Sequence, residues 1–171
     1  PRLVGMQLVG LGNSLMGQLL ELLLAREVPM WLSSPMKELL IENGRVVGIV
    51  VENGGKRQHV YARRGVILTS GGFEKNAKMR EQYQEHPVTD AWTSGTEGNT
   101  GRPIELARDA GAALSLMEDA WWGPTMMYPE SGEPQFMLQE RSLPFCFIVA
   151  KDGKRFMNES ESYVDAGHHQ Y

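Results

Sequence analysis

Three β-strand segments joined by asparagine–glycine turns place the strongest constraint on how this chain folds. The predicted strands span 39–42, 46–52 and 58–62, separated by Asn43-Gly44 and by Asn53-Gly54-Gly55. Asn-Gly pairs tolerate the positive φ angles that tight hairpin turns require. The pattern therefore predicts an antiparallel β-meander in the first half of the chain.

The apolar run GVILTSGG follows the meander at residues 65–72. A continuous apolar run of this kind is typical of a strand buried on both faces of a parallel sheet. We expect residues 66–68 to pack in one core with Leu19 and Leu23 of a preceding leucine-rich helix. This strand and that helix should then form the interior of the first half.

Further elements are predicted on both sides of the β-rich part. Helices are predicted over 14–27 with Ser14 as N-cap, over 73–83, and over 99–114 with Asn99 or Thr100 as cap, Pro103 in the first turn and Gly111 at the end. A short strand is predicted at 29–34, an irregular apolar loop at 117–136, and a hairpin turn at Asp152-Gly153 with Phe156 on the return strand. This order predicts a mixed α/β (α+β) fold, with part of one domain in 1–73 and the start of a second in 74–171.

Composition excludes several classes of partner. The net charge of −4 provides no basic surface, so a nucleic-acid partner is not expected. No apolar run approaches the roughly 18 residues of a membrane span. The single cysteine, Cys146, lies in the apolar segment PFCFIV, so we expect a buried thiol in a reducing compartment, the cytoplasm. The four histidines form no ligand pattern with cysteines or acids, so no metal site is predicted.

Two glycine-rich segments are candidates for ligand contact. Gly71 and Gly72 end the predicted core strand, and ligands of α/β proteins lie at such carboxyl ends. The segment SGTEGNTG at 94–101 precedes a helix, where free amides favour a phosphate or the edge of a flavin ring. Ordinary turns explain both segments equally well, because glycine is common wherever the chain turns.

Aromatic and methionine side chains cluster in the predicted loop at 117–136. The cluster comprises Trp121, Trp122, Met126, Met127 and Tyr128. Such side chains line flat apolar ligand sites, and they also fill cores beneath loops. The composition of the loop does not decide between these two interpretations.

Five motifs in order make the chain resemble the flavoprotein family of fumarate reductases and succinate dehydrogenases, most of all its 3-ketosteroid Δ1-dehydrogenase branch. They are RGVILTSGGFEKN, GNTGRPIELARDAGAAL, MEDAWWGP, LQERSLPFCFIVAKDGKRFMNES and SYVD. The resemblance implies FAD as cofactor, with Gly71 and Gly72 approaching it. It also implies that the loop with Gly98, Thr100 and Gly101 reaches toward the flavin ring, and that Met36 in SSPMKELL lies near the adenine. The family's usual Gly-Asp-Gly is replaced here by Gly101-Arg102-Pro103.

The same resemblance implies that the chain is an internal piece of a larger flavoenzyme. The family's GxGxxG segment is expected before Pro1, and the rest of the substrate domain after Tyr171. On this interpretation the chain alone is not an active enzyme.

The resemblance assigns the chemistry to Tyr163. In fumarate reductases an arginine that delivers a proton stands at this place, and their Thr-Glu pair is replaced here by residues 138–141, LQER. In the steroid dehydrogenases the corresponding tyrosine removes the C2 proton while hydride leaves C1 for flavin N5. The implied substrate is an apolar, steroid-like ring ketone bound by Trp121, Trp122 and Arg141, with a separate electron acceptor.

Three alternatives remain open from the sequence. In the first, Tyr163 is a packed side chain whose hydroxyl bonds to a backbone carbonyl. In the second, the protein is a fumarate-reductase-like enzyme or another enzyme that forms 2-enoates. In the third, the protein is a non-catalytic ligand-binding module on a degenerate flavoprotein core.

Overall fold

The computed structural model describes residues 2–3, 6–7 and 10–170. The strands are β1 (Arg2–Leu3), β2 (Met6–Gln7), β3 (Met36–Glu42), β4 (Arg45–Asn53), β5 (Lys56–Tyr61), β6 (Thr125–Met127) and β7 (Pro134–Phe136). The helices are α1 (Leu11–Ala25), α2 (Ala77–Tyr83), α3 (Arg102–Asp109) and α4 (Tyr163–His168), with single 3₁₀ turns at Asp90–Trp92 and Glu140–Ser142. Mixed helix and strand content agrees with the predicted fold class.

The predicted β-meander is confirmed. Strands β3, β4 and β5 pair in sequence order, each antiparallel to the next. Asn43 and Gly44 take φ angles of 49° and 75°, and Gly54 and Gly55 take 57° and 73°, so both turns have the positive φ that two-residue hairpins need. Val50 in the central strand is only 1% exposed and belongs to the small core.

The predicted core of helix and apolar strand is not formed. Leu19 and Leu23 are 45% and 39% exposed, and Ile67 is 88% exposed. Residues 65–72 form no regular secondary structure and pair with no strand among the described residues. A strand can be buried only where adjacent strands hydrogen-bond to its backbone. The β-meander does not include residues 65–72, so this run lacks such partners among the described residues.

Several predicted boundaries are also wrong by a few residues or more. Helix α1 begins after Gly10, so Ser14 lies inside it and accepts a bond from Gln18. Residues 29–34 form a turn and coil instead of a strand. Cys146 is half-buried, so it is not the fully buried core residue expected from its apolar neighbours.

The helices of the second half begin at polar or glycine caps. The side chain of Asn76 accepts a bond from the Met79 amide at the start of α2. Helix α3 starts after Gly101, which replaces both predicted caps because its φ of 73° turns the chain sharply. Gly111, with φ of 92°, ends α3 as predicted. Helix α3 packs against β3, so the two halves of the chain touch, and the division at residue 73 stays a prediction.

The segment at 117–136 is more regular than predicted, and the hairpin after residue 149 is less regular. The loop at 117–136 contains a regular hairpin of β6 and β7. The turn at Asp152-Gly153 is confirmed, but only Val149 and Arg155 pair beside it, so Phe156 is not on a strand. Within the described ranges, no helix combines the length and apolarity needed to cross a membrane.

Candidate active site and cofactor-binding loops

The two glycine-rich segments lie side by side. The Gly101 amide donates to the Gly72 carbonyl at 3.0 Å, and the Lys75 amide donates to the Asn99 carbonyl at 3.0 Å. The side-chain amide of Asn76 donates to the Thr100 carbonyl at 2.8 Å. The loops before α2 and α3 therefore form one hydrogen-bonded unit.

The structure explains the presence of glycine at some positions of this unit and not at others. Gly71 has φ of 81°, and a Cβ on it would overlap the Asn99 side chain. Gly101 has φ of 73°, and a Cβ on it would overlap Met79. Gly98 is exposed, and a Cβ on it would meet nothing within 4 Å. Packing explains the first two glycines, whereas no described residue packs against the Cα of Gly98.

Backbone amides of the unit are available as donors. Those of Gly71, Gly72 and Gly98 bond to no acceptor in the described part of the chain. Unpaired backbone amides of glycine-rich loops suit phosphate or carbonyl oxygens. Arg102, at the departure from the family pattern, forms an exposed ion pair with Glu105 at 3.3 Å.

Met36 occupies a different place from the glycine loops. It is the first residue of β3, half-buried and paired with Val51 of β4. It does not contribute to the cavity described below. A contact of Met36 with adenine stays a prediction.

A cavity of about 810 Å³ opens beside the glycine loops. Its walls come from residues 72–74, α2 and the residues after it, the segment 92–95, the tryptophan loop 119–123, the β6–β7 hairpin with Phe136, and the last turn of α4. Gly72, Trp121 and Trp122 share this cavity, so the structure brings one predicted cofactor residue together with two predicted substrate residues. No sequence pattern predicted that segments nearly 50 residues apart would meet here.

Tyr163 stands at the start of α4, next to this cavity. Its ring stacks on Trp121 with centroids 6.5 Å apart and meets Phe136 edge to face at 5.5 Å. Its hydroxyl bonds to no residue in the described ranges, and the alternative of a bond to a backbone carbonyl is therefore not observed. Among the described residues, aromatic contacts alone hold the ring.

Asp119 and His168 connect the tryptophan loop to α4. Asp119 Oδ1 accepts bonds from the Ala120 amide at 2.7 Å, from Trp122 Nε1 at 2.9 Å and from His168 Nε2 at 3.0 Å. The Ala120 amide, more than the His168 ring, lowers the pKa of Asp119. The bond to Asp119, followed by that to the Val164 carbonyl, raises the pKa of His168. Sequence reasoning missed this pair because 49 residues separate the partners.

Arg141 does not lie where the sequence placed it. It is 4% exposed and absent from the cavity wall, and its guanidinium donates to the carbonyls of Glu159 and, at 2.7 Å, Glu161. Its Nε is buried without a partner among the described residues. The geometry gives Arg141 the role of holding the segment before α4, and a contact with substrate stays a prediction.

Glu159 ties the same segment to the preceding hairpin. The buried carboxylate accepts bonds from the Ile148 amide at 2.8 Å and from Arg155 Nε at 3.1 Å. Arg155, and then the Ile148 amide, lower the pKa of Glu159 to about 2.

In the described residues no cluster of three or more histidine, cysteine or acidic side chains has a geometry that would hold a metal ion.

The chain as a whole matches a known class of protein. The family described as FAD binding domain matches residues 3–169, and the chain belongs to this family of flavoproteins. The expectations of a flavoprotein fold and of FAD as its cofactor are thereby confirmed.

Individual relatives refine the comparison. The chain is 48% identical to the 3-oxosteroid 1-dehydrogenase of Mycobacterium tuberculosis over 98% of its own length, and it spans 30% of that protein. It is 32% identical to the 4-oxocyclohex-2-ene-1-carboxylate 5-dehydrogenase of Sinomonas cyclohexanicum, over 91% of this chain and 28% of the relative. The crystal structure of 3-ketosteroid delta1-dehydrogenase from Sterolibacterium denitrificans, in complex with 1,4-androstadiene-3,17-dione, superposes with a TM-score of 0.88 at 42% identity. That superposition covers 94% of this chain and 29% of the solved one, so the resemblance to the steroid dehydrogenase branch is confirmed.

Proposed function

We propose that the chain is part of an FAD-dependent dehydrogenase that introduces a double bond beside a ring ketone, with a steroid-like molecule as substrate. The observation that carries the proposal is the stack of Tyr163 on Trp121, at a cavity that also includes Gly72. The names of the relatives support the same substrate class. The whole protein, of which this chain spans the equivalent of about 30%, is the active unit in this proposal.

The residues present fit the cofactor. Amides of Gly71, Gly72 and Gly98 face no acceptor in the described residues, and Gly98 leaves open space that a side chain would fill. Thr100 and Gly101 complete this loop, and Met36 is assigned to the adenine side. FAD, when bound, accepts the hydride that leaves the substrate, and a separate acceptor reoxidises it.

Tyr163 takes the proton in this proposal. A carbon next to a ring ketone is acidified by the carbonyl, so a positioned tyrosine side chain in its phenolate form can take its proton and become the phenol. Trp121, Trp122 and Phe136 offer flat apolar walls that suit a fused ring system. The free hydroxyl of Tyr163 leaves its oxygen available to the substrate.

A small carboxylate substrate is the second candidate, and one observation favours it. Arg80 is 6% exposed, lines the cavity, and forms no ion pair with the described residues. Its Nε donates to Gln84 at 2.9 Å, and one terminal nitrogen reaches the Glu74 carbonyl at 3.4 Å. A cation of this kind suits a carboxylate, as in fumarate reduction.

The test uses the full-length protein in single-turnover mode. Bleaching of the flavin by a 3-ketosteroid supports the proposal, whereas fumarate reduction by a reduced viologen without ketosteroid turnover supports the second candidate. A full-length protein without flavin absorbance would leave only a non-catalytic binding module.

The matched variant for the base is Tyr163→Phe, which keeps the ring and its aromatic contacts. Loss of general acid–base catalysis typically lowers the rate by ~10²–10⁴-fold, and the loss should fall on kcat with little change in KM. Tyr61→Phe on the exposed end of β5 is the control and should turn over normally. A Tyr163→Phe enzyme that reduces its flavin at the parent rate would remove Tyr163 from the mechanism.

A further inference from the structure

The contact between the tryptophan loop and α4 is unusually specific. Asp119 Oδ1 collects three donors, one from its own loop backbone, one from Trp122 and one from His168 on α4. Gly167 adds a backbone contact, since a Cβ there would lie 2.9 Å from the Gly123 nitrogen. These contacts hold α4 against the tryptophan loop at two points.

The bonding pattern of His168 requires a charged ring. Its Nε2 faces the carboxylate of Asp119 at 3.0 Å, and its Nδ1 faces the Val164 carbonyl at 2.9 Å. Both partners are acceptors only, so both ring nitrogens must carry hydrogen. A neutral ring satisfies one of these bonds and turns a lone pair toward the other acceptor.

The same contact controls the position of Tyr163. Tyr163 and His168 are the first and last residues of α4, so they move as one short rigid element. Tyr163 stacks on Trp121, which lies between Asp119 and Trp122 in the tryptophan loop. His168 is hydrogen-bonded to this loop through Asp119. A shift of the loop against α4 would therefore change the distance between Tyr163 and its stacking partner Trp121.

We propose that Asp119 and His168 are positioning residues, and that the protonated His168 ring sets the distance between Tyr163 and the substrate wall formed by Trp121 and Trp122. This inference rests on the proposed function. Neither residue touches the reacting atoms in the proposal; both act through Tyr163 and the tryptophan loop.

The surrounding charges determine the direction of pH dependence. Asp119 on the loop and Asp165 on α4 both face His168 and raise its pKa, while Glu161 is engaged by His169 at 2.7 Å. Because the folded-state pKa lies above the ordinary 6.5, the contact is complete below pH 6.5. It is lost as the pH rises through the raised pKa.

The experiment follows the contact by spectroscopy and the reaction by kinetics, in the full-length protein. Histidines labelled with ¹³C in the ring report the titration of His168, identified by its absence in His168→Gln. Near-UV circular dichroism reports the Trp121–Tyr163 stack, with Trp121→Leu as the reference for its loss. Flavin reduction by a 3-ketosteroid gives kcat and KM over the same pH range.

Two variants separate charge from shape. Asp119→Asn keeps an oxygen for the Ala120 and Trp122 donors but removes the anion, so the His168 midpoint should fall toward 6.5. Because misplacement of a catalytic group by about 1 Å can cost up to ~10²-fold, kcat should fall on the order of tenfold while KM changes less. His168→Gln supplies an uncharged donor to Asp119 and should keep the stack while abolishing its pH dependence. His169→Gln, one residue further along, is the matched control and should leave both signals unchanged.

The outcomes are distinguishable from failure of the proposed function. If the parent protein does not act on a ketosteroid, the stack signal should still follow the His168 titration. If Asp119→Asn leaves the His168 midpoint, the stack signal and kcat unchanged, the positioning role is refuted. Loss of kcat in His169→Gln to the same extent would refute it too, because the effect would then not depend on the Asp119 contact.

Discussion

Replacing Arg141 by methionine tests whether this residue holds the chain or binds substrate. Methionine is a flexible side chain of similar length and carries no charge or donor. The change removes the two bonds from the guanidinium to the carbonyls of Glu159 and Glu161. It leaves the buried position filled with apolar atoms.

The structure allows the cost to be worked out. A buried acceptor left without its donor costs ~1–3 kcal/mol, so two such carbonyls cost about 4 kcal/mol in all. Removal of the buried, unpartnered Nε recovers about 1 kcal/mol of desolvation. The net loss of about 3 kcal/mol falls on the segment from 159 to α4, and corresponds to a roughly 100-fold increase in its opening.

Hydrogen exchange in the full-length protein measures this loss directly. Amides of α4 should exchange roughly 100-fold faster in Arg141→Met, whereas amides of the central strand β4 should not change. Arg102→Met is the matched control, since its exposed ion pair with Glu105 contributes at most ~1 kcal/mol. If exchange is unaltered and only KM for the substrate rises, Arg141 is a substrate ligand and the structural interpretation is wrong.

Four further substitutions test the glycine loops, the Glu159 carboxylate and the core. Gly71→Ala should destabilise the protein by ~1–2 kcal/mol, because the φ of 81° at Gly71 disfavours a Cβ. Gly98→Ala should fold normally yet weaken FAD binding. Equal FAD affinity of the parent and Gly98→Ala in a flavin titration would contradict a flavin contact at Gly98. The stability that the Glu159 carboxylate contributes is complete above its ordinary pKa of 4.5 and is lost as the pH falls toward about 2. Glu159→Gln should therefore lose less stability than the parent as the pH falls through this range. An acid unfolding transition by circular dichroism that equals that of the parent would disprove this. Val50→Ala should lower the free energy of unfolding by about 2 kcal/mol, because it empties part of a fully buried site, and a urea midpoint equal to that of the parent would contradict the assigned core.

Local chemistry made several elements predictable from sequence. The meander follows from two pairs of residues that tolerate positive φ and from the β-rich runs between them, and both conditions act within a few residues. The same is true of the Gly111 stop of α3 and of the turn at Asp152-Gly153. The order of the motifs was sufficient to identify the flavoprotein family, since each motif is a short linear pattern.

Burial and side-chain partners depended on tertiary structure. The apolar strand at 65–72 and the leucines of α1 read as core from composition, but burial requires partner surfaces that the described residues do not supply. Arg141 read as a cationic substrate ligand, yet its charge is directed at two carbonyls some 20 residues away.

The sequence by itself determined the turns, the meander, the family and the place of Tyr163 in a motif. Only the tertiary structure decided that Tyr163 stacks on Trp121 and that Asp119 meets His168 across 49 residues. The physical reason is range: turn preferences arise from the backbone of adjacent residues, whereas a hydrogen bond or a ring stack exists only where folding has brought distant segments within a few ångströms.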